Sequence, residues 1–241
     1  MILGDPAFDG VVDKTVATAE NIATRGLRDR TFDRLPGTAT ESRTVGSLLS
    51  PATVLTGTEA TETALKAVQS PRVLHIATHG FFLADQDLST AASPGGATSL
   101  EDPMLRSGIV LAGANIGKSG NDDGVLTALE AAGLNLSGTQ LVVLSACETG
   151  VGEVKTGEGV FGLRRAFMVA GAETLVMSLW QVDDTATQRL MTEFYQRLAK
   201  GQDRGEALRQ ASLTLMQEPA YRHPFFWASF IAAGETGPLR H

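Results

Sequence analysis

The stretch Leu141-Val142-Val143-Leu144-Ser145-Ala146 constrains this chain more than any other, because its six residues are apolar or small without the alternation of a half-exposed strand. Such a run predicts a strand buried on both faces, the habit of parallel sheets covered by helices on both sides. It leads straight into Cys147, the single cysteine among 241 residues, and Glu148-Thr149-Gly150 open a loop just beyond. A second run from Arg72 to Thr78 ends in His79-Gly80, and a third extends from Thr174 to Trp180. Segments of helical periodicity follow the strands. That order predicts a three-layer α/β/α domain with a mostly parallel central sheet of about six strands. In such sheets the reacting groups gather outside the carboxyl ends of the strands, where both His79 and Cys147 fall.

The clearest amphipathic helix starts at Asp183-Asp184 and carries Leu190, Met191, Phe194, Tyr195 and Leu198 as one stripe before Gly201. Gly157 to Ala170 and Gly205 to Met216 repeat the pattern, with Gly171 placed to stop the first of them. Shorter helices are expected over Glu41–Leu49 after a Pro36-Gly37 turn, and from a Thr58 cap through Val68. Another is expected over Thr127–Ala132, where Thr127-Ala128-Leu129-Glu130 matches a capping box. Met1–Leu3, Thr53–Leu55 and Phe226–Ala232 read as further strands. Between Gly80 and Asp123 the composition turns to Ser, Gly, Pro and Asp, interrupted by Gly108-Ile109-Val110-Leu111-Ala112-Gly113. Residues 81–123 are therefore expected to form an insertion, with a mobile loop over about 84–103 and an accessory strand or hairpin. No repeat or break divides residues 1–241, so a single domain is expected. The chain opens almost directly on an apolar strand, the pattern of a domain taken from a longer polypeptide.

A hydrophobic content of 43% is ample for a packed core. The net charge of −7 and the absence of any basic cluster longer than Arg164-Arg165 argue against a nucleic-acid or anionic-membrane surface. One cysteine forms no internal disulfide, the N-terminus lacks a basic segment before an apolar one, and no stretch reaches a membrane-spanning length. A cytoplasmic location is the expectation.

A thiolate attacks a carbonyl well only when something lowers its pKa or takes its proton, and a neighbouring imidazole does both. His79 is the candidate base for Cys147. A tetrahedral intermediate also needs amide donors, and small residues let the backbone approach; the amides of Gly80 and Cys147 are the candidates. Set against this, a lone cysteine ending an apolar strand is often simply core; the paired His-Gly tilts the balance. His75 and His79 stand four apart, which on a strand separates them by about 13 Å, too far for one metal ion. A buried, hydrogen-bonded role is expected for His75, and His223 beside Pro224 is taken as structural or surface. Gly157-Glu158-Gly159-Val160-Phe161-Gly162 matches G-x-G-x-x-G, but it does not follow a strand directly and places Glu158 where a pyrophosphate would bind. Ser145 lacks the G-x-S-x-G elbow of a serine hydrolase. Asp183 and Asp184 follow the third strand; either caps the next helix or faces the same mouth to select a basic substrate residue.

Ile76-Ala77-Thr78-His79-Gly80 and Leu144-Ser145-Ala146-Cys147-Glu148-Thr149-Gly150 resemble the histidine and cysteine blocks of the CHAT domain, a caspase-like and separase-like bacterial family often fused to TPR repeats. The resemblance extends over nearly the whole chain, from Gly4-Asp5-Pro6 through Ser178-Leu179-Trp180-Gln181-Val182-Asp183-Asp184 to His223-Pro224-Phe225-Phe226-Trp227-Ala228. It implies a caspase-type fold, a catalytic dyad of His79 and Cys147, and endopeptidase activity on protein substrates. It also implies chemistry without metal or organic cofactor, and control by an attached TPR or other sensor region or a partner, in antiphage or cell-death systems. The block ending at Asp184 resembles the one in separase that precedes substrate-facing acids, which marks Asp184 as a subsite candidate. The alternative is a non-catalytic CHAT-like module that binds a protein partner with the same cleft.

Overall fold

The computed structural model of the protein describes residues 1–10, 27, 30–83, 102–148, 158–180 and 183–240. The three continuous runs form adjacent strands of one sheet: β3 (Val73–Phe82), β6 (Leu141–Glu148) and β7 (Thr174–Ser178). β1 (Ile2–Pro6) and β2 (Val54–Gly57) extend it on one side and β8 (Phe230–Gly234) on the other, giving the order β2-β1-β3-β6-β7-β8. All pairings along this path are parallel except β7 with β8. A hairpin of β4 (Ser107–Val110) and β5 (Val125–Thr127) adds to the far end of β3, bringing the sheet to eight strands. The hairpin's second strand lies beyond residue 123, so the insertion and the hairpin do not share a boundary.

Runs without alternation are explained by what covers each face. Leu74, Ile76, Val142, Leu144, Leu175 and Met177 pack into one core, under α2 (Glu62–Lys66), α3 (Ala128–Ala131) and α4 (Glu158–Val169). Val73, Leu141, Val143 and Val176 point the other way, under α1 (Pro36–Leu48), α5 (Asp184–Ala199) and α6 (Arg204–Gln217). A strand buried on both faces has no position left for a polar alternate.

The local signals agree with the structure apart from three corrections. Thr127 and Glu130 form the expected capping box on α3. The helix expected after a Pro36-Gly37 turn instead begins at Pro36, because proline tolerates the first helical turn, where its missing N–H has no partner to lose. The helix expected from a Thr58 cap is capped by Thr61, whose side chain accepts the Ala64 N–H, and spans five residues. Phe226 ends a 3₁₀ turn, and the last strand starts at Phe230. Residues 84–101, most of the expected loop, lie outside the described residues.

Phe167 on α4 is fully buried in the first core. Replacing it with Ala should lower unfolding free energy by about 3–5 kcal/mol, seen as a lower denaturant midpoint at unchanged slope.

Candidate active site

β3 changes partners beside His79. β1 pairs with it as far as Ala77, and β4 takes up the same edge from Gly80 to Phe82. His79 sits between those two stretches, at the kind of switch point where a parallel sheet opens a crevice. On its other edge β3 remains paired with β6, and in that register the Cα of His79 is opposite the Cα of Cys147. Adjacent strands stand about 4.8 Å apart, so positions 68 residues distant in sequence become immediate neighbours. Of Cys147 the structure describes the backbone. Gly80 follows in the same ladder, opposite Glu148 on β6 and Ile109 on β4.

The His79 ring is 7% exposed. Phe8 and Phe32 flank it, with ring centroids 5.2 Å and 5.8 Å from the imidazole. Its Nε2 lies 2.7 Å from the backbone carbonyl of Asp33. A carbonyl only accepts, so Nε2 carries the proton and, in the neutral ring, Nδ1 keeps the lone pair. Nδ1 is buried and has no hydrogen-bond partner among the described residues. Burial drives the imidazole pKa below its ordinary value of 6.5, and the Asp33 carbonyl and the charges of Asp184 and Asp33 oppose that only in part. The result is a neutral base with one nitrogen anchored and one available.

Asp183 and Asp184 stand in different surroundings. Asp183 is exposed and accepts the Ala186 N–H at 2.8 Å, capping α5. Asp184 begins the helix half-buried, so close to the start of α1 that a Cβ on Gly37 would stand 2.9 Å from its own. With Glu41, Ser145 and Thr187 it lines a cavity of about 10 Å³, room for one water molecule. Burial, then Asp183, then buried Glu41 raise the Asp184 pKa, while His79 lowers it.

His75 lies away from this site in a buried cluster, as its position in the strand predicts. Its Nδ1 is 3.0 Å from the Tyr195 hydroxyl. Its Nε2 is 3.1 Å from Glu41 Oε1, a close approach in which neither atom has an aligned hydrogen-bond partner among the described residues. The G-x-G-x-x-G match does not follow the strand directly, because β6 ends at Glu148 and α4 starts at Glu158; Gly157 itself lies outside the described residues. No group of metal-ligating side chains occurs among the described residues. Sequence reasoning missed the Asp33 carbonyl and the two phenylalanines. A backbone acceptor leaves no residue-type signature, and this N-terminal segment lacks clear periodicity.

The depressed His79 pKa fixes a sign. The unfolded chain takes up this proton near pH 6.5 while the folded chain resists it, so the associated stability is present above pH 6.5 and declines as pH falls through and below it. Nitrogen-detected NMR of the His79 ring should show the Nε2–H tautomer at neutral pH and a titration midpoint below 6.5.

A family model described as "CHAT domain" matches residues 2–235. Tetratricopeptide repeat protein 28 of Mus musculus and of Homo sapiens are each 35% identical to the chain over 115 residues, 48% of this chain and 5% of theirs. The chain thus spans a small fraction of the length of those curated relatives. The solved structure of the Arg specific cysteine proteinase gingipain R (RGPB) aligns with 99% of this chain and 46% of its own, at a TM-score of 0.52 and 11% identity. That likeness is one of fold, and it is the caspase-like one.

Proposed function

The chain belongs to the CHAT domain family, and from that premise we propose that it is a cysteine endopeptidase acting on protein substrates through His79 and Cys147. One observation carries the reading: the β3–β6 register sets Cys147 directly opposite a histidine whose Nε2 is tied to a carbonyl and whose Nδ1 has no partner among the described residues. Residues in register on parallel strands share a face of the sheet, and this reading takes the Cys147 thiol to be the group that Nδ1 serves.

In this mechanism Nδ1 takes the Sγ proton and the thiolate attacks the scissile carbonyl carbon. The backbone amides of Gly80 and Cys147 receive the oxyanion, and glycine's missing side chain leaves room for the incoming carbonyl. The imidazolium, steadied through Nε2 by the Asp33 carbonyl, returns its proton to the leaving amine as the C–N bond breaks. Water then attacks the thioester, Nδ1 takes a proton from it, and the carboxyl product and free thiol are released. No step calls on a metal or organic cofactor. Asp184 stands near enough to His79 to perturb it, and we assign it to the subsite that selects a basic side chain; the Arg specificity named for gingipain R supports that choice of class. Asp183 is committed to its cap. The tetratricopeptide-repeat relatives support control by an attached repeat region or a partner, and a place in antiphage or cell-death signalling is what the family resemblance implies.

Replacing Cys147 with Ala should abolish cleavage of a protein substrate, and a thiol-reactive peptide probe should label the native protein at neutral pH but not its His79→Ala variant. Undiminished cleavage by the Cys147→Ala variant, or no labelling of the activated full-length protein, would favour a binding module instead.

Across a library of peptides differing at the residue before the cut, Asp184→Asn should lower kcat/KM for Lys and Arg substrates at least about ten-fold more than for uncharged ones, the loss of one charge-assisted contact. Equal losses across the library would remove Asp184 from the subsite.

A further inference from the structure

The carbonyl that orients His79 lies on an irregular segment, and an irregular segment does not hold an acceptor in place unless its neighbours are tied down. Both are. Arg34 makes a two-pronged contact with Asp5, Nε to Oδ1 at 2.7 Å and an Nη to Oδ2 at 2.6 Å. Asp5 itself is buried at the end of β1, with a left-handed φ of 49°. On the other side, Asn115 clasps Phe32 at both backbone groups: its Oδ1 accepts the Phe32 N–H at 2.8 Å and its Nδ2 donates to the Phe32 carbonyl at 3.1 Å. The same Nδ2 donates to Asp9 Oδ1 at 2.8 Å. A flipped carboxamide would set N–H against N–H, so the contacts fix its orientation.

Asn115 reaches further than Phe32. Its own backbone N–H donates to the Phe8 carbonyl at 3.0 Å. One residue therefore holds the main chain of both phenylalanines that wall His79, and one of these, Phe32, immediately precedes the Asp33 acceptor. Its placement is equally built. Asn115 is central in a 3₁₀ turn, Ala114–Ile116, between Gly113 and Gly117, both left-handed. A Cβ on Gly113 would stand 1.6 Å from the Lys118 carbonyl, so only glycine closes this turn. The turn belongs to the link between β4 and β5, the hairpin that extends β3 just past His79.

We infer that Asn115 is a positioning residue for the proposed dyad: by clasping Phe32 and Phe8 it aims the Asp33 carbonyl at Nε2 and thereby sets which ring nitrogen of His79 faces Cys147. The inference rests on the proposed peptidase chemistry. Without the clasp, the Asp33 carbonyl loses its fixed aim and both tautomers of His79 become populated. The thiol then titrates closer to its free value of about 8.5.

The test measures the rate of Cys147 alkylation by iodoacetamide against pH in the native protein and in the His79→Ala, Asn115→Ala and Asn115→Asp variants, alongside thermal melting. Asn115→Asp keeps an acceptor for the Phe32 N–H but has no donor for the Phe32 carbonyl, and it serves if the alanine variant does not fold. The expected result is a folded Asn115 variant whose labelling midpoint moves up by about one pH unit, with a rate at pH 7 about ten-fold lower, because the thiolate fraction falls with the shift. His79 NMR in the same variant should show loss of the single Nε2–H tautomer. A midpoint and tautomer unchanged in a folded Asn115 variant, while His79→Ala moves the midpoint, would overturn the positioning role and leave the dyad standing. A midpoint unmoved by His79→Ala would overturn the dyad, and the positioning role with it.

Discussion

The parallel pairing of β3 with β6 is the interaction on which the rest depends. It runs in unbroken register from Val73 opposite Leu141 to Gly80 opposite Glu148, so every residue of the cysteine strand has an assigned neighbour on the histidine strand. A shift by one residue would move one strand's side chains to the opposite face relative to its neighbour. Both faces are apolar here, and the register is held by two separate cores rather than one, under α2, α3 and α4 on one face and α1, α5 and α6 on the other. Packing far from the chemistry thus keeps position 79 beside position 147.

At the end of that pairing the environment of His79 is a balance of burial and anchoring. Phe8 and Phe32 remove water and disfavour the imidazolium, while the Asp33 carbonyl and the nearby acids favour it. Burial is the larger effect, which leaves the ring neutral before a reaction begins. In the proposed mechanism the groups opposing it stabilise the cation once a proton has been taken. The insertion takes part in this, since Asn115 carries the histidine's walls and the hairpin next to it extends β3.

A different buried polar cluster lies deeper on the same face. Glu41 of α1, His75 of β3 and Tyr195 of α5 come together where three elements meet. Burial and the Glu41 charge push the Tyr195 hydroxyl well above its ordinary range, so it stays protonated and serves as a partner for His75. Glu41 also lines the small cavity with Asp184, so the structural cluster and the proposed subsite adjoin.

The sequence by itself determined the layered α/β architecture, the placement of His79, Gly80 and Cys147 in the carboxyl-terminal halves of two buried strands, and the aspartate pair opening α5. All of these follow from periodicity and from residue types with narrow chemical uses, which are local properties of the chain. Its local cues misplaced the start of α1 and the cap of α2, because Pro36 and Thr58 each suit more than one local structure. That Asp183 caps α5 while Asp184 packs half-buried beside Gly37 of α1 emerged only from the fold, since both are equally good caps by residue type. The Asp33 carbonyl and its clasp by Asn115 were decided by tertiary structure alone. A backbone acceptor is present at every residue, and a contact spanning 83 positions exists only once the sheet has brought its ends together.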